Sequence, residues 1–220
     1  MIISHKKKFI FIHIYKTAGT SISKSLLPHA RFIEKISSYY PTYILVKIIN
    51  ILLNLEQMGN KWINGVHKHA TAFEIKKYLD KKIFDEYFKF AFVRHPMDWQ
   101  VSLYEYIKRA RHKDHDKVKK MTFKEFVLSE IKNKSPRQID FLTENKFFIV
   151  DKIYKFENLE KDIEKLYKIL NIDIKKNNIK HLNNSQRDKN FYKYYDNELE
   201  EIVKDYYYED FERLGYNLKI

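Results

Sequence analysis

The stretch Phe9-Ile10-Phe11-Ile12-His13-Ile14-Tyr15-Lys16-Thr17-Ala18-Gly19-Thr20-Ser21 decides the reading of this chain. Its first half is aromatic and β-branched, the composition of a buried strand. Its second half is small and polar, and Ile22, Leu26 and Leu27 then follow at helical spacing. Strand, loop and helix in that order suit an oxyanion. Gly19 lets the backbone come close, Thr20 and Ser21 bring hydroxyls beside the N–H groups of the helix start, and Lys16 brings charge. The lysine precedes the glycine, and no Gly-x-x-x-x-Gly-Lys-Ser/Thr run occurs, so this is not a Walker A loop. A turn of this composition also arises for steric and capping reasons alone.

Outward from the loop, Tyr87 to Val93 reads as a second buried strand, and Pro96 opens a helix running to about Arg109. Thr71 with Glu74 makes a capping box for a helix to about Leu79, and Thr122 with Glu125 makes another. Lys152 to Phe156 is a third strand candidate, followed by a helix carrying Leu159, Ile163, Leu166 and Leu170 on one face. A helix from about Asp196 to Leu214 closes the chain. Strands alternating with helices predict an α/β fold, a central parallel sheet flanked by helices. No repeat or linker divides the sequence, so residues 1–220 read as a single domain with a helical insertion at about 30–66. Within that insertion, Tyr43 to Leu55 reads as a buried or partner-facing helix.

Composition narrows the class. The 220 residues are 44% hydrophobic and 16% aromatic with only 4 Gly and 4 Pro, which excludes a disordered or low-complexity chain. A net charge of +13 favours an anionic partner, although Lys supplies most of it and Arg, the better fork for phosphate, is scarce. With 0 Cys there is no disulfide framework, thiolate metal site or cysteine nucleophile. The basic stretch His5 to Lys8 followed by apolar Phe9 to Ile14 imitates a secretory signal. The run is too short and lacks a cleavage site, so a cytoplasmic, soluble protein is expected. Neither that run nor Tyr43 to Leu55 reaches the ~20 residues of a membrane span.

A second constellation is Phe90-Ala91-Phe92-Val93-Arg94-His95-Pro96, with Trp99, Ser102 and Tyr104 beyond it. Arg94 falls at the carboxyl end of a strand, where open α/β sheets bind ligands, and Ser102 falls on the next helix. Further segments follow in order: Lys68-His69-Ala70-Thr71-Ala72, Tyr154-Lys155-Phe156-Glu157-Asn158-Leu159, His181-Leu182-Asn183-Asn184-Ser185 and Leu214-Gly215-Tyr216. Taken together with residues 9–21, they resemble the carbohydrate sulfotransferases of sulfotransferase family 2, which use 3′-phosphoadenosine 5′-phosphosulfate (PAPS) and release PAP. Tyr15 stands where that family commonly has Pro, and His95 where it commonly has Asn.

The resemblance implies a P-loop-like sulfotransferase fold and a transfer of the sulfuryl group of PAPS to a hydroxyl, expected on a carbohydrate. It implies that Lys16, Thr17, Ala18, Gly19, Thr20 and Ser21 hold the 5′-phosphosulfate and that Arg94 and Ser102 hold the 3′-phosphate. Asn183 and Ser185 match a late family motif near the cofactor, and Arg187 is a candidate for an additional phosphate contact. Lys16 is placed for charge on the departing oxygen, and His69 or His67 for the acceptor proton. No metal is expected, since His67 and His69 have no third ligand at zinc spacing. The segment from Lys108 to Lys120, with His112 and His115, is a glycan-steering surface or a solvated helix end. A nucleotide-dependent kinase, a basic nucleic-acid-binding protein and an inactive sulfotransferase-like scaffold stay open as alternatives.

Overall fold

The computed structural model describes residues 1–30, 68–109, 112–173 and 190–218. Their regular elements run in the order β1 (Ile2–Ser4), β2 (Phe9–Ile12), α1 (Gly19–Leu26), α2 (Ala72–Tyr78), α3 (Lys81–Glu86), β3 (Phe88–Val93), α4 (Pro96–Arg109) and α5 (His115–Val118). Then come α6 (Phe123–Lys132), β4 (Thr143–Glu144), β5 (Phe147–Phe148), β6 (Lys152–Lys155), α7 (Leu159–Ile169), α8 (Asn197–Tyr206) and α9 (Tyr208–Arg213). The insertion expected at about residues 30–66, including Tyr43 to Leu55, lies outside the described residues. The described residues of 1–92 and 141–182 form one compact unit, and those of 93–140 and 183–220 form a second.

In the first unit the four-stranded sheet has the order β1-β2-β3-β6. β2 and β3 run parallel, with Phe9 beside Phe88 and Ile12 beside Ala91. The sheet is mixed rather than wholly parallel, because β1 pairs antiparallel with β2, Ile2 opposite Phe11 and Ser4 opposite Phe9. Three residues are too few to show alternation. A turn across residues 5–8, with Lys8 at φ 49 and the Lys7 N–H donating to Ser4 Oγ, folds them back. Every residue of β2 is inaccessible to solvent, which is why its sequence is an unbroken apolar run. Period-two alternation stacks Phe9, Phe11, Phe88 and Phe90 on one face, with ring centroids 5.3 to 5.8 Å apart. Ile22 and Leu26 of α1 and Leu159, Ile163 and Leu166 of α7 join that cluster, so two amphipathic helices cover this face.

Both capping boxes form: Thr71 accepts from the Glu74 N–H ahead of α2, and Thr122 from the Glu125 N–H ahead of α6. In the second unit α4 buries Trp99 against Tyr207, with ring planes 89° apart. That contact corrects the expectation of one closing helix from about Asp196 to Leu214. The chain breaks at Tyr207 into α8 and α9, where Tyr207 has φ −95 and ψ 16 and is fully buried. Its hydroxyl accepts from Gln100 at 2.7 Å. Holding the ring on α4 outweighs one uninterrupted ladder.

Candidate active site

The loop after β2 takes its shape from residues that sequence alone would not assign to it. Lys16 and Ala18 adopt left-handed backbone at φ 64 and 61, whereas Gly19, expected to let the backbone come close, does not. Thr17 between them is buried, and its hydroxyl donates to the Ile14 carbonyl at 2.8 Å, closing the turn. Ala18 caps α1 without a side-chain bond, and its carbonyl accepts the first helical bond from Ile22 at 3.1 Å. The N–H groups of Gly19, Thr20 and Ser21 lie in the first turn of α1, beside the positive end of the helix dipole. A left-handed residue followed by a helical one turns successive N–H groups toward a common point, the geometry of an anion nest.

His69 belongs to the same unit. Its Nδ1 meets the His13 carbonyl at 2.8 Å, and since a carbonyl only accepts, Nδ1 carries the proton and Nε2 is the basic nitrogen of the neutral ring. The His69 ring meets His13 edge-on at 4.5 Å and Tyr15 at 6.0 Å. Tyr15 also packs on Phe141 at 5.8 Å, so aromatic contacts hold the residue before Lys16. Burial lowers the pKa of neighbouring Lys68. His67, Asn183, Ser185 and Arg187 lie outside the described residues.

In the second unit, Arg94 is followed at once by α4, and its side chain lies along that helix. Its Nε donates to Asp98 Oδ2 at 2.7 Å and its Nη1 to Ser102 Oγ at 3.1 Å. The expected pair of Arg94 and Ser102 is thus brought together, with Asp98 as a third member that the sequence reading did not include. The main chain of Arg94 is held as firmly. Gln138 Oε1 accepts from its N–H at 2.8 Å and Gln138 Nε2 donates to its carbonyl at 2.7 Å. Asp210, fully buried, accepts from the N–H groups of Gln138 at 3.0 Å and Ile139 at 2.8 Å. Burial pushes the Asp210 carboxyl up to about 7, against the pull of those two N–H bonds. His95 packs among Phe191, Tyr192, Phe211 and Tyr216, a structural place in the aromatic cluster of this unit.

Neither Gln138 nor Asp210 carries a local motif, and only their hydrogen bonds to distant backbone give them away. His13 had a signal in its alternation with Phe9 and Phe11. The basic segment after α4 contains α5, with His115 Nδ1 donating to the Ile107 carbonyl at 3.0 Å. Among the described residues, no cluster of three or more His, Cys, Asp or Glu is placed to hold a metal ion. No described helix is long and apolar enough to cross a membrane.

The first unit thus carries a strand-to-helix loop with N–H groups at a helix start, and the second an arginine joined to a serine after a parallel strand, on an α/β framework. The family model described as sulfotransferase family matches residues 1–217, spanning both units, and the chain belongs to that family. The enzyme class read from the sequence, a sulfotransferase, stands on that match. An uncharacterised protein of Archaeoglobus fulgidus is 40% identical over 95 residues, 42% of this chain and 74% of the relative. Among solved structures, mouse sulfotransferase SULT7A1 complexed with PAP is similar with a TM-score of 0.45 and 11% identity, covering 97% of this chain and 87% of that one.

Proposed function

We propose that this chain transfers the sulfuryl group of PAPS to a hydroxyl of a carbohydrate acceptor. The observation that carries the reading is the placement of His69 and the loop in one unit, with Nδ1 of His69 tied to the carbonyl of His13, three residues before Lys16. The N–H groups of residues 19–21 with Lys16 bind the 5′-phosphosulfate, and Arg94 with Ser102 binds the 3′-phosphate. Thr17 and Ala18 shape the loop, and Ser185 stays in the cofactor group on sequence likeness. Arg94 and Ser102 suit a phosphate because a planar fork and a hydroxyl 3.1 Å apart present donors to one oxyanion.

In the transfer, the acceptor oxygen forms a bond to sulfur as the bond from sulfur to the bridging oxygen of the 5′-phosphate breaks. PAP is the leaving group. His69 Nε2 takes the acceptor proton, a contribution of roughly 10²- to 10⁴-fold. Lys16 and the loop N–H groups stabilise charge developing on the departing oxygen. No divalent cation is required by these roles. The charge of +13 favours an anionic glycan over a neutral one.

The test is binding of PAP and ATP in turn, with and without magnesium, followed by an acceptor screen with radiolabelled PAPS. Tight PAP binding without metal and label on a glycan are expected. Selective, magnesium-dependent ATP binding would overturn the reading in favour of a kinase. With an acceptor in hand, His69→Ala should lower kcat by about a hundredfold or more while leaving PAP affinity within about twofold.

A further inference from the structure

Alternation along β2 sets His13 on the same face as Phe9 and Phe11, and its ring stacks on Phe11 at 5.6 Å. α1 begins over that face. A Cβ on Gly19, the first residue of α1, would fall 1.8 Å from His13 Nε2 and 1.9 Å from Cδ2. Gly19 has no left-handed backbone to require glycine, so the imidazole is what excludes a side chain there. The same residue reaches His69 twice, through its carbonyl at 2.8 Å and through its ring at 4.5 Å. His13 is 2% exposed, and its Nδ1 has no hydrogen-bond partner among the described residues. Burial, then the N-terminal ammonium, His69 and Lys68, hold its pKa well below the usual histidine value. A neutral His13 ring adds no positive charge of its own beside His69 when that residue accepts a proton.

We propose that His13 is a positioning residue for sulfuryl transfer: its ring sets where α1 and the anion loop begin, and its carbonyl sets which nitrogen of His69 is basic. This rests on the sulfotransferase reading above. One residue thereby fixes both the group that receives the anion and the group that receives the proton, and the glycine of the loop is there for the imidazole.

PAP affinity, the ¹⁵N spectrum of the histidine rings and a two-residue exchange test it. Gly19→Ala is expected to weaken PAP binding about tenfold or more, since a methyl with no room displaces the helix start or the ring. His13→Ala removes the ring but keeps the carbonyl that accepts from His69 Nδ1, so it should weaken PAP binding about fivefold while His69 keeps its Nδ1–H tautomer. In the double variant the new methyl enters the vacated space, so PAP should bind more tightly than to Gly19→Ala alone. Wild-type PAP affinity in Gly19→Ala, or a double variant that loses the product of the two single effects, overturns the proposal. If Gly19→Ala does not fold, His13→Ala decides. Unchanged PAP affinity in His13→Ala, or an Nε2–H tautomer of His69 in the wild type, overturns the proposal, and weakened affinity together with a wild-type Nδ1–H tautomer upholds it. If the wild type does not bind PAP, the sulfotransferase reading alone fails, and two measurements decide this one: the wild-type His69 ring should show Nδ1–H, and Gly19→Ala should lose stability that His13→Ala restores in the double variant.

Discussion

At residues 16–21 the polar groups on offer are main-chain N–H groups placed by backbone conformation, whereas at Arg94 they are side-chain groups placed by other side chains. The first arrangement is local: two left-handed residues, a closed turn at Thr17 and a helix start. The second is long-range, since Gln138 lies 44 residues from Arg94 and Asp210 lies 72 from Gln138. The difference teaches where each site is vulnerable. A backbone loop tolerates changes in the side chains that do not shape it. A chain of buried side-chain bonds fails when one member is removed, because its partner is left without water or protein to bond.

The sharpest way to break the comparison is Arg94→Ala. It leaves Asp98 in a nearly buried position without its cation, and loss of one partner of such a pair costs about 3 kcal/mol of stability. PAP affinity should fall about a hundredfold if the guanidinium also holds the 3′-phosphate. Calorimetry and denaturant unfolding separate the two effects. Gln138→Ala should follow, at about 2 kcal/mol, by stripping both main-chain partners from Arg94 in a site without solvent. Its mark is weakened PAP binding although no ligand contact was removed; unchanged affinity would show that the clasp does not position Arg94.

A third change sharpens the comparison through pH. The folded pKa of Asp210 stands above its unfolded value near 3.8. Its contribution to stability is therefore fully present below that value and is lost as pH rises through about 7. In Asp210→Asn this group no longer titrates, so the stability gap between wild type and variant should shift against the wild type between pH 5 and pH 8, about the upper part of that window. Parallel denaturation profiles across those pH values would rule the assignment out. The smallest effect belongs to the loop. Ala18→Gly relieves a left-handed alanine, worth about 1 kcal/mol, and regains unfolded-chain entropy, so a net stabilisation under about 1 kcal/mol is expected in thermal melts.

Much of the fold was legible because its signals are local. The apolar run from Phe9, the Pro96 helix start, the face of α7 and the two capping boxes each draw on a few neighbouring residues, and each has its element in the structure. The strand β1 and the break at Tyr207 were not legible. One is too short to carry a period, and the other depends on a ring held by a helix more than a hundred residues away in sequence. For the site, residues 16–21, His69, Arg94 and Ser102 stood out by residue type and spacing. Gln138 and Asp210 did not, because what matters about them is a bond to something distant in sequence; Asp98 was passed over although its partner Arg94 is only four residues away, and the alternation of His13 with Phe9 and Phe11 showed its face but not its contacts with His69 and Gly19.

The order of residues by itself determined that strands would alternate with helices, that a small, polar turn with a lysine would join the first buried run to a helix, and that an arginine would end the second. These follow from side-chain period, turn chemistry and charge, all properties of short segments. Only the tertiary structure decided that the glycine of the loop yields to an imidazole, that Nδ1 of His69 is the protonated nitrogen, and that Arg94 is gripped through Gln138 by a buried carboxyl. Those outcomes depend on exclusion of water and on close packing, which arise only when segments far apart in the chain are brought together.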